Sequence, residues 1–143
     1  MARIKIDLPD TLLFSATVAV RITDINYGNH VGNDAIVKFI HEARAQFLAL
    51  YKFTELNVAG TALIMSSLII DFKKESFFGD QLIVKLFAGN LSKVSFDFFY
   101  SIHATRNGQE VLIANAQTSM VSYDYSAGKV IAITTGLQKL LLL

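Results

Sequence analysis

The chain has 143 residues, 52% hydrophobic and 17% charged, with 13 Lys and Arg against 12 Asp and Glu, a formal net charge of +1 and no cysteine. Residues 1–143 suit a single domain with a real core, and the near-neutral balance gives no global field for nucleic acid or an anionic membrane. Absence of cysteine excludes disulfides, thiolate nucleophiles and Cys-ligated zinc, while an apolar share above the usual ~45–50% implies an interface between copies, a homodimer or homotetramer.

In chain order, the first ten residues have no apolar stretch of the kind that directs export, so a cytoplasmic protein is the expectation. Residues 14–22 alternate, with Phe14, Ala16, Val18, Val20 and Ile22 on one face, which is the period of a strand. From Asp34 to Lys52 the apolar positions Ile36, Phe39, Ile40, Ala43, Phe47, Leu50 and Tyr51 fall three and four apart, and Val37 and Leu48 widen the stripe. This predicts one helix of about five turns that a sheet must wrap, capped by Asn33 or Asp34, with Lys52 near the negative end of its dipole. Strands follow over 61–72, 81–91, 93–105, 110–123 and 130–133, and Gly or Asn in the segments between them predicts successive antiparallel hairpins. The apolar run 61–70 is far short of the roughly 20 residues of a spanning helix. Residues 137–143 read either as a short docking helix or as a tail. One strand, one long helix and then strands is an α+β pattern in which a curved antiparallel sheet wraps a single helix.

The chemistry concentrates in residues 21–34, R-I-T-D-I-N-Y-G-N-H-V-G-N-D, ahead of that helix. A glycine-rich loop entering a helix leaves backbone N–H groups free to receive a carbonyl oxygen or an anion. Asp24 and Asn26, two apart, read either as a general base with an amide orienting water, or as an Asx turn ending the strand. His30 is the loop's only side chain titrating near neutrality, and reads as acid–base catalyst or as a backbone hydrogen-bonding group.

This stretch resembles the 4-hydroxybenzoyl-CoA thioesterase-like branch of the hotdog-fold acyl-CoA thioesterases, whose motif runs approximately D-x-D-x-x-G-H-V-N-N and then E-x-A-R on the helix. Here the corresponding residues are Asp24 to Asn33 and then His41-Glu42-Ala43-Arg44. Glu75 to Val84, with Gly79-Asp80-Gln-Leu-Ile-Val84, is similar to the family's Gly-Asp strand entry, and the resemblance covers nearly the whole chain. It implies a hotdog fold and hydrolysis of an acyl-CoA thioester to free acid and CoA, with coenzyme A entering as part of the substrate and no separate cofactor. The chain departs from the motif at three places. Asn26 stands where the family has its catalytic Asp, Asn29 stands at the motif glycine beside Gly28, and His41 stands at the helix Glu. An amide can neither take a proton at neutral pH nor serve as an ordinary nucleophile.

The candidate catalytic residues are therefore Asp24, Asn26, His30, Asp34 and Glu42. Asp34 is a first-turn carboxylate that can also act as nucleophile or water anchor, and Glu42 is a reserve base on a polar helix stripe shared with His41 and Arg44. Backbone groups around Gly28, Asn29, Gly32 and Asn33 would bind the acyl carbonyl. Lys73, Lys74 and Lys93 would meet the CoA phosphates, or serve solubility alone. Phe72, Phe77, Phe78, Phe96, Phe98, Phe99 and Tyr100 are expected in core and interface, with a subset lining an acyl tunnel. No compact metal-ligand motif is present. Two other readings stay open: a module that binds acyl-CoA or an acyl carrier without hydrolysis, and a hydratase or dehydratase using His30 with Glu42.

Overall fold

The computed structural model describes residues 4–143; residues 1–3, which begin the N-terminal stretch considered for export, lie outside the described residues. The first strand, β1, is Phe14–Ala19, shorter than the alternation suggested. The chain then enters a 3-10 turn at Ile22–Asp24, because the Asp24 carboxylate accepts the Arg21 N–H at 2.8 Å and pulls the backbone out of the sheet. The central helix, α1, is Asn33–Leu50. Its N-cap is Gly32, with no side-chain cap, so the capping expected of Asn33 or Asp34 is not made. Lys52 lies beyond the helix with φ 64°, so the last turn carries no basic residue.

Five further strands follow: β2 (Ala62–Phe72), β3 (Gln81–Gly89), β4 (Ser95–Arg106), β5 (Gln109–Asp124) and the two-residue β6 (Lys129–Val130). They form one antiparallel sheet in the order β1-β3-β4-β5-β2, with β6 beside β5. The segments after β3, β4 and β5 are hairpin connections, but the segment through Phe78-Gly79-Asp80 is not. It carries the chain from β2 at one edge to β3, which is paired with β1 near the other. That crossing passes the N-terminal end of α1, where the Val31 N–H donates to the Ser76 carbonyl at 2.8 Å.

One broad face of α1 packs on the sheet, through Ala35, Ile36, Phe39, Ile40, Ala43, Phe47 and Leu48. They meet Val84 and Leu86 of β3, Phe96, Phe98, Tyr100 and Ile102 of β4, and Ala114, Ala116 and Met120 of β5. Phe96, Phe98 and Tyr100 are thus core, whereas Phe99 packs on the opposite face of the sheet under Ile6, and Phe72, Phe77 and Phe78 are exposed. Arg44 is not on a polar stripe. It is 5% exposed, donating to Glu55 Oε1 at 2.7 Å and to the Tyr100 hydroxyl at 3.2 Å. The C-terminal segment is a helix, α2 (Thr135–Leu141), capped by Thr134 and buried through Leu137, Leu140 and Leu141. None of the described helices is long and apolar enough to cross a membrane.

Candidate active site

The loop before α1 folds on itself through a bridge between Ile25 and Val31. Asn26 N–H donates to the His30 carbonyl at 2.9 Å, and Asn26 Oδ1 accepts the Gly28 N–H at 2.8 Å, an Asx turn. The left-handed position in this loop is Asn29, with φ 65°, while Gly28 keeps an ordinary φ. Asn tolerates that conformation better than other non-glycine residues because its short polar side chain bonds locally. The tight bend brings the His30 ring out of the loop and toward the crossing segment.

There His30 meets a residue from 45 positions further along. His30 Nε2 lies 3.8 Å from Glu75 Oε1, and His30 Nδ1 lies 3.1 Å from its neighbour's carbonyl, that of Val31. A carbonyl can only accept, so this contact selects the tautomer with the proton on Nδ1 and leaves the lone pair on Nε2. A proton taken up at Nε2 would then face a carboxylate. The two side chains sit at the mouth of a cleft of about 240 Å³, lined by His30, Val31, Asn33, Ile36, Phe72, Lys73, Lys74, Glu75, Ser76 and Ile113. Its floor is apolar, through Val31, Ile36 and Ile113, all nearly buried. Asn33 and Ile36 bring the N-terminal turn of α1 to its lining, and among the described residues the N–H groups of Asn33 and of Asp34 beside it have no hydrogen-bond partner, whereas those of Gly32 and Ala35 bond the carbonyls of Asp24 and Gly32. Unpaired N–H groups at the positive end of an 18-residue helix favour a negatively charged oxygen.

The far wall is the segment 73–80. Lys73 and Lys74 donate their backbone N–H groups to the Ile113 carbonyl, and the Lys73 ammonium lies 2.8 Å from Asp71. Ser76, 2% exposed, and the Phe77 N–H both donate to Asp80 Oδ2 at 3.0 Å, and Arg106 Nη2 donates to the same oxygen at 2.9 Å. Burial pushes the Asp80 carboxyl up, but the hydrogen bonds from Phe77, Arg106 and Ser76 and the Arg106 charge hold it below its ordinary value.

The remaining predicted residues lie elsewhere. Asp24 accepts from Arg21, and with Arg21, Lys38, Glu42 and Gln46 it lines a separate groove between α1 and β1. Glu42 Oε2 accepts from Gln46 Nε2 at 2.9 Å. Asp34 folds back over the N-cap, so that a Cβ at Gly32 would stand 2.6 Å from Asp34 Oδ1. Lys93 follows β3, while the cleft wall precedes it, so the nine residues of β3, about 30 Å, separate them. His30, Asn33 and Lys73 are thus brought together, while Asp24 and Glu42 face the second groove. Glu75 and Ser76 escaped the sequence reading, although both belong to the stretch that carries the Gly79-Asp80 resemblance. Among the described residues no three His, Asp or Glu side chains are grouped to hold a metal ion.

Residues 20–141 match the family model of the thioesterase-like superfamily. No curated protein matches the chain significantly. Among solved structures, it is similar to a 1,4-dihydroxy-2-naphthoyl-CoA thioesterase from Synechocystis, with 24% identity and a TM-score of 0.79 over 90% of this chain and 95% of that one. It is similar to a mutant of 4-hydroxybenzoyl-CoA thioesterase complexed with 4-hydroxybenzoyl-CoA, at 15% identity and a TM-score of 0.79 over 90% and 97% of the two chains. It is also similar to the Dynemicin thioesterase, whose crystal structures reveal induced-fit and allosteric effects upon polyene binding, at 16% identity and a TM-score of 0.81 over 92% and 96%. At these identities the likeness establishes a common fold, a curved antiparallel sheet around one helix.

Proposed function

The chain belongs to the thioesterase-like superfamily, and on that premise we propose that it hydrolyses an acyl-CoA thioester to free acid and CoA at the cleft between the α1 N-terminus and segment 73–76. The observation that carries this reading is the pairing of His30 with Glu75 beside two unpaired N–H groups of a long helix. A thioester carbonyl directed at Asn33 and Asp34 N–H develops its negative charge where the helix end stabilises it, and a donor of this kind contributes about 3 kcal/mol in comparable sites. Water loses its proton to His30 Nε2 and adds to the carbonyl carbon. The tetrahedral species then expels the CoA sulfur, breaking the C–S bond, and the same proton passes from Nε2 to the thiolate. Glu75 stabilises the imidazolium in between. Lys74 supplies positive charge along the entry for the CoA phosphates, beside Lys73, whose charge is shared with Asp71. The reaction as proposed uses water alone, without metal or redox group. Asn26 acts in this scheme through the turn it closes.

The reading also makes the enzyme a homodimer. β2 is an edge strand whose free side exposes Met65, Ile69 and Phe72, and the chain runs from its end directly into Lys73 and Lys74 of the cleft. A second copy paired along β2 would cover those side chains and wall the cleft on its open side.

Thiol release from short, long and aromatic acyl-CoA esters tests the activity. Wild type is expected to turn over at least one class, and His30→Ala and Glu75→Gln to lose about 10²- to 10⁴-fold in kcat. Tight binding with no release from any ester would make the protein an acyl-CoA or acyl-carrier binding module instead. Conversion of an enoyl ester without thiol release would make it a hydratase.

A further inference from the structure

The Gly79-Asp80 pair and Arg106 have no part in the chemistry just described, yet they bear directly on it. Arg106 ends β4, and the two-residue turn that follows, Asn107 with φ 52° and Gly108 with φ 76°, is the tight hairpin type that fixes register, Arg106 opposite Gln109. The guanidinium therefore projects from a rigid base. Its Nη2 makes two hydrogen bonds, to Asp80 Oδ2 at 2.9 Å and to the backbone carbonyl of Glu75 at 2.9 Å, and its Cζ lies 5.2 Å from the centre of the Phe77 ring. The turn 77–80 closes without Arg106: Asp80 N–H donates to the Phe77 carbonyl at 3.0 Å, and Asp80 Oδ2 already accepts from Phe77 N–H and Ser76 Oγ. The bond to Glu75 lies outside that turn, on the residue whose carboxylate faces His30.

We infer that Arg106 and Asp80 are positioning residues for the hydrolytic centre, a clamp that holds Glu75 at its distance from His30. The inference rests on the reading of His30 and Glu75 as the catalytic pair. Two ties set that distance. Val31 N–H to Ser76 carbonyl, at 2.8 Å, fixes the backbone on the His30 side, and Arg106 to Glu75 carbonyl fixes it on the other. The Glu75 side chain is 63% exposed, so without the second tie no packing keeps its carboxylate near His30 Nε2. Asp80 acts one step back, by anchoring the guanidinium through a charge-assisted bond that orients its second donor.

The test compares Arg106→Gln, Arg106→Ala, Asp80→Asn and Glu75→Gln in the thiol-release assay, on variants whose far-ultraviolet spectra match wild type. Arg106→Gln is expected to lose about 10²-fold in kcat, the usual cost of misplacing a catalytic group by about 1 Å, with KM changed less than about threefold. Asp80→Asn should lose less. Millimolar guanidinium should restore part of the turnover of Arg106→Ala and none of that of Glu75→Gln, which separates a lost donor from a damaged fold. Independently of turnover, the His30 ring proton signals should move in Arg106→Gln in the same sense as in Glu75→Gln, since both remove the carboxylate from the ring. An impaired Glu75→Gln beside an Arg106→Gln with wild-type kcat and unshifted His30 signals overturns the clamp and leaves the catalytic pair standing. A Glu75→Gln with wild-type turnover overturns the pair and the clamp together. Should Arg106→Gln not fold, the guanidinium rescue is read on Arg106→Ala and the ring signals on Asp80→Asn, and failure of both overturns the proposal.

Discussion

A Cβ added at Gly28 would stand 3.2 Å from Asn26 Oδ1 and 3.2 Å from His30 Nε2, tighter than ordinary contact on both sides. Each neighbour must give by a few tenths of an ångström, against a hydrogen bond that holds it: Asn26 is held by the Gly28 N–H, and the His30 ring by the Val31 carbonyl. Because Gly28 is exposed and its φ is ordinary, Gly28→Ala should fold with little loss of stability while displacing the imidazole by a few tenths of an ångström. The expected outcome is a several-fold fall in kcat, on the order of 3- to 10-fold, with a melting temperature within about 2 °C of wild type. Steady-state thiol release and a thermal melt check it; a variant that loses stability and activity in proportion would show that Gly28 serves the fold alone. Of the residues involved, His30 and Gly28 were legible in the sequence because loop chemistry is local. Glu75 was not, since nothing in the one-dimensional pattern says which acidic residue a crossing segment delivers to a histidine 45 positions earlier. Asn26 was legible as a residue and ambiguous in role, and its Oδ1 is committed to the turn.

At the scale of the element, α1 was readable from spacing, and its boundaries fell within two residues of those expected. What periodicity concealed is that its buried face contains a charge. Arg44 sits among Ala43, Phe47 and Leu48 and is compensated by Glu55 from the segment after the helix and by Tyr100, whose hydroxyl also lies 2.7 Å from Thr118 Oγ1. His41 Nε2 stands 3.5 Å from the other Glu55 oxygen. The network ties the return loop to the helix, and it is asymmetric: Glu55 is partly exposed, and Arg44 is not. Removing the carboxylate strands a guanidinium in the core, a change that costs about 3–5 kcal/mol for a fully buried pair. With Glu55 28% exposed, solvent offsets some of that, and Glu55→Ala should destabilise by about 2–3 kcal/mol. Urea unfolding should show the transition midpoint moved down at unchanged slope; an unmoved midpoint would mean that Tyr100 and solvent satisfy Arg44 unaided. A helical wheel places Arg44 correctly on the inner face but carries no information on where its partner comes from. The turns were similarly readable as turns, while the destination of the chain after Gly79 was not, since a glycine at φ 89° permits a reversal without choosing which strand comes next to which.

For the whole molecule, the excess of apolar residues, read from composition as a shared surface, is spread over several exposed segments. The part that lies on a sheet edge is along β2, an 11-residue edge strand paired with β5 on one side only, where Met65, Ile69 and Phe72 stand at least 36% exposed. A long edge strand with such side chains and no lysine within it is a template for pairing with another chain. The opposite edge, β1, has six residues, and its exposed positions are the polar Ser15 and Thr17 and the small Ala19, with no large apolar side chain among them. Pairing across a two-fold axis on β2 would place like positions near one another, so one substituted charge per chain becomes two facing charges. Ile69→Lys is therefore expected to convert a dimer to a monomer in sedimentation equilibrium, and Ser15→Lys on β1 to leave the dimer intact. On the proposed dimer the monomer should also lose thioester turnover, because Phe72, Lys73 and Lys74 continue from the disrupted strand into the cleft, whose open side the second copy would wall. If wild type sediments as a single chain, or if Ser15→Lys divides the assembly and Ile69→Lys does not, the β2 interface is wrong and the cleft must close by other means.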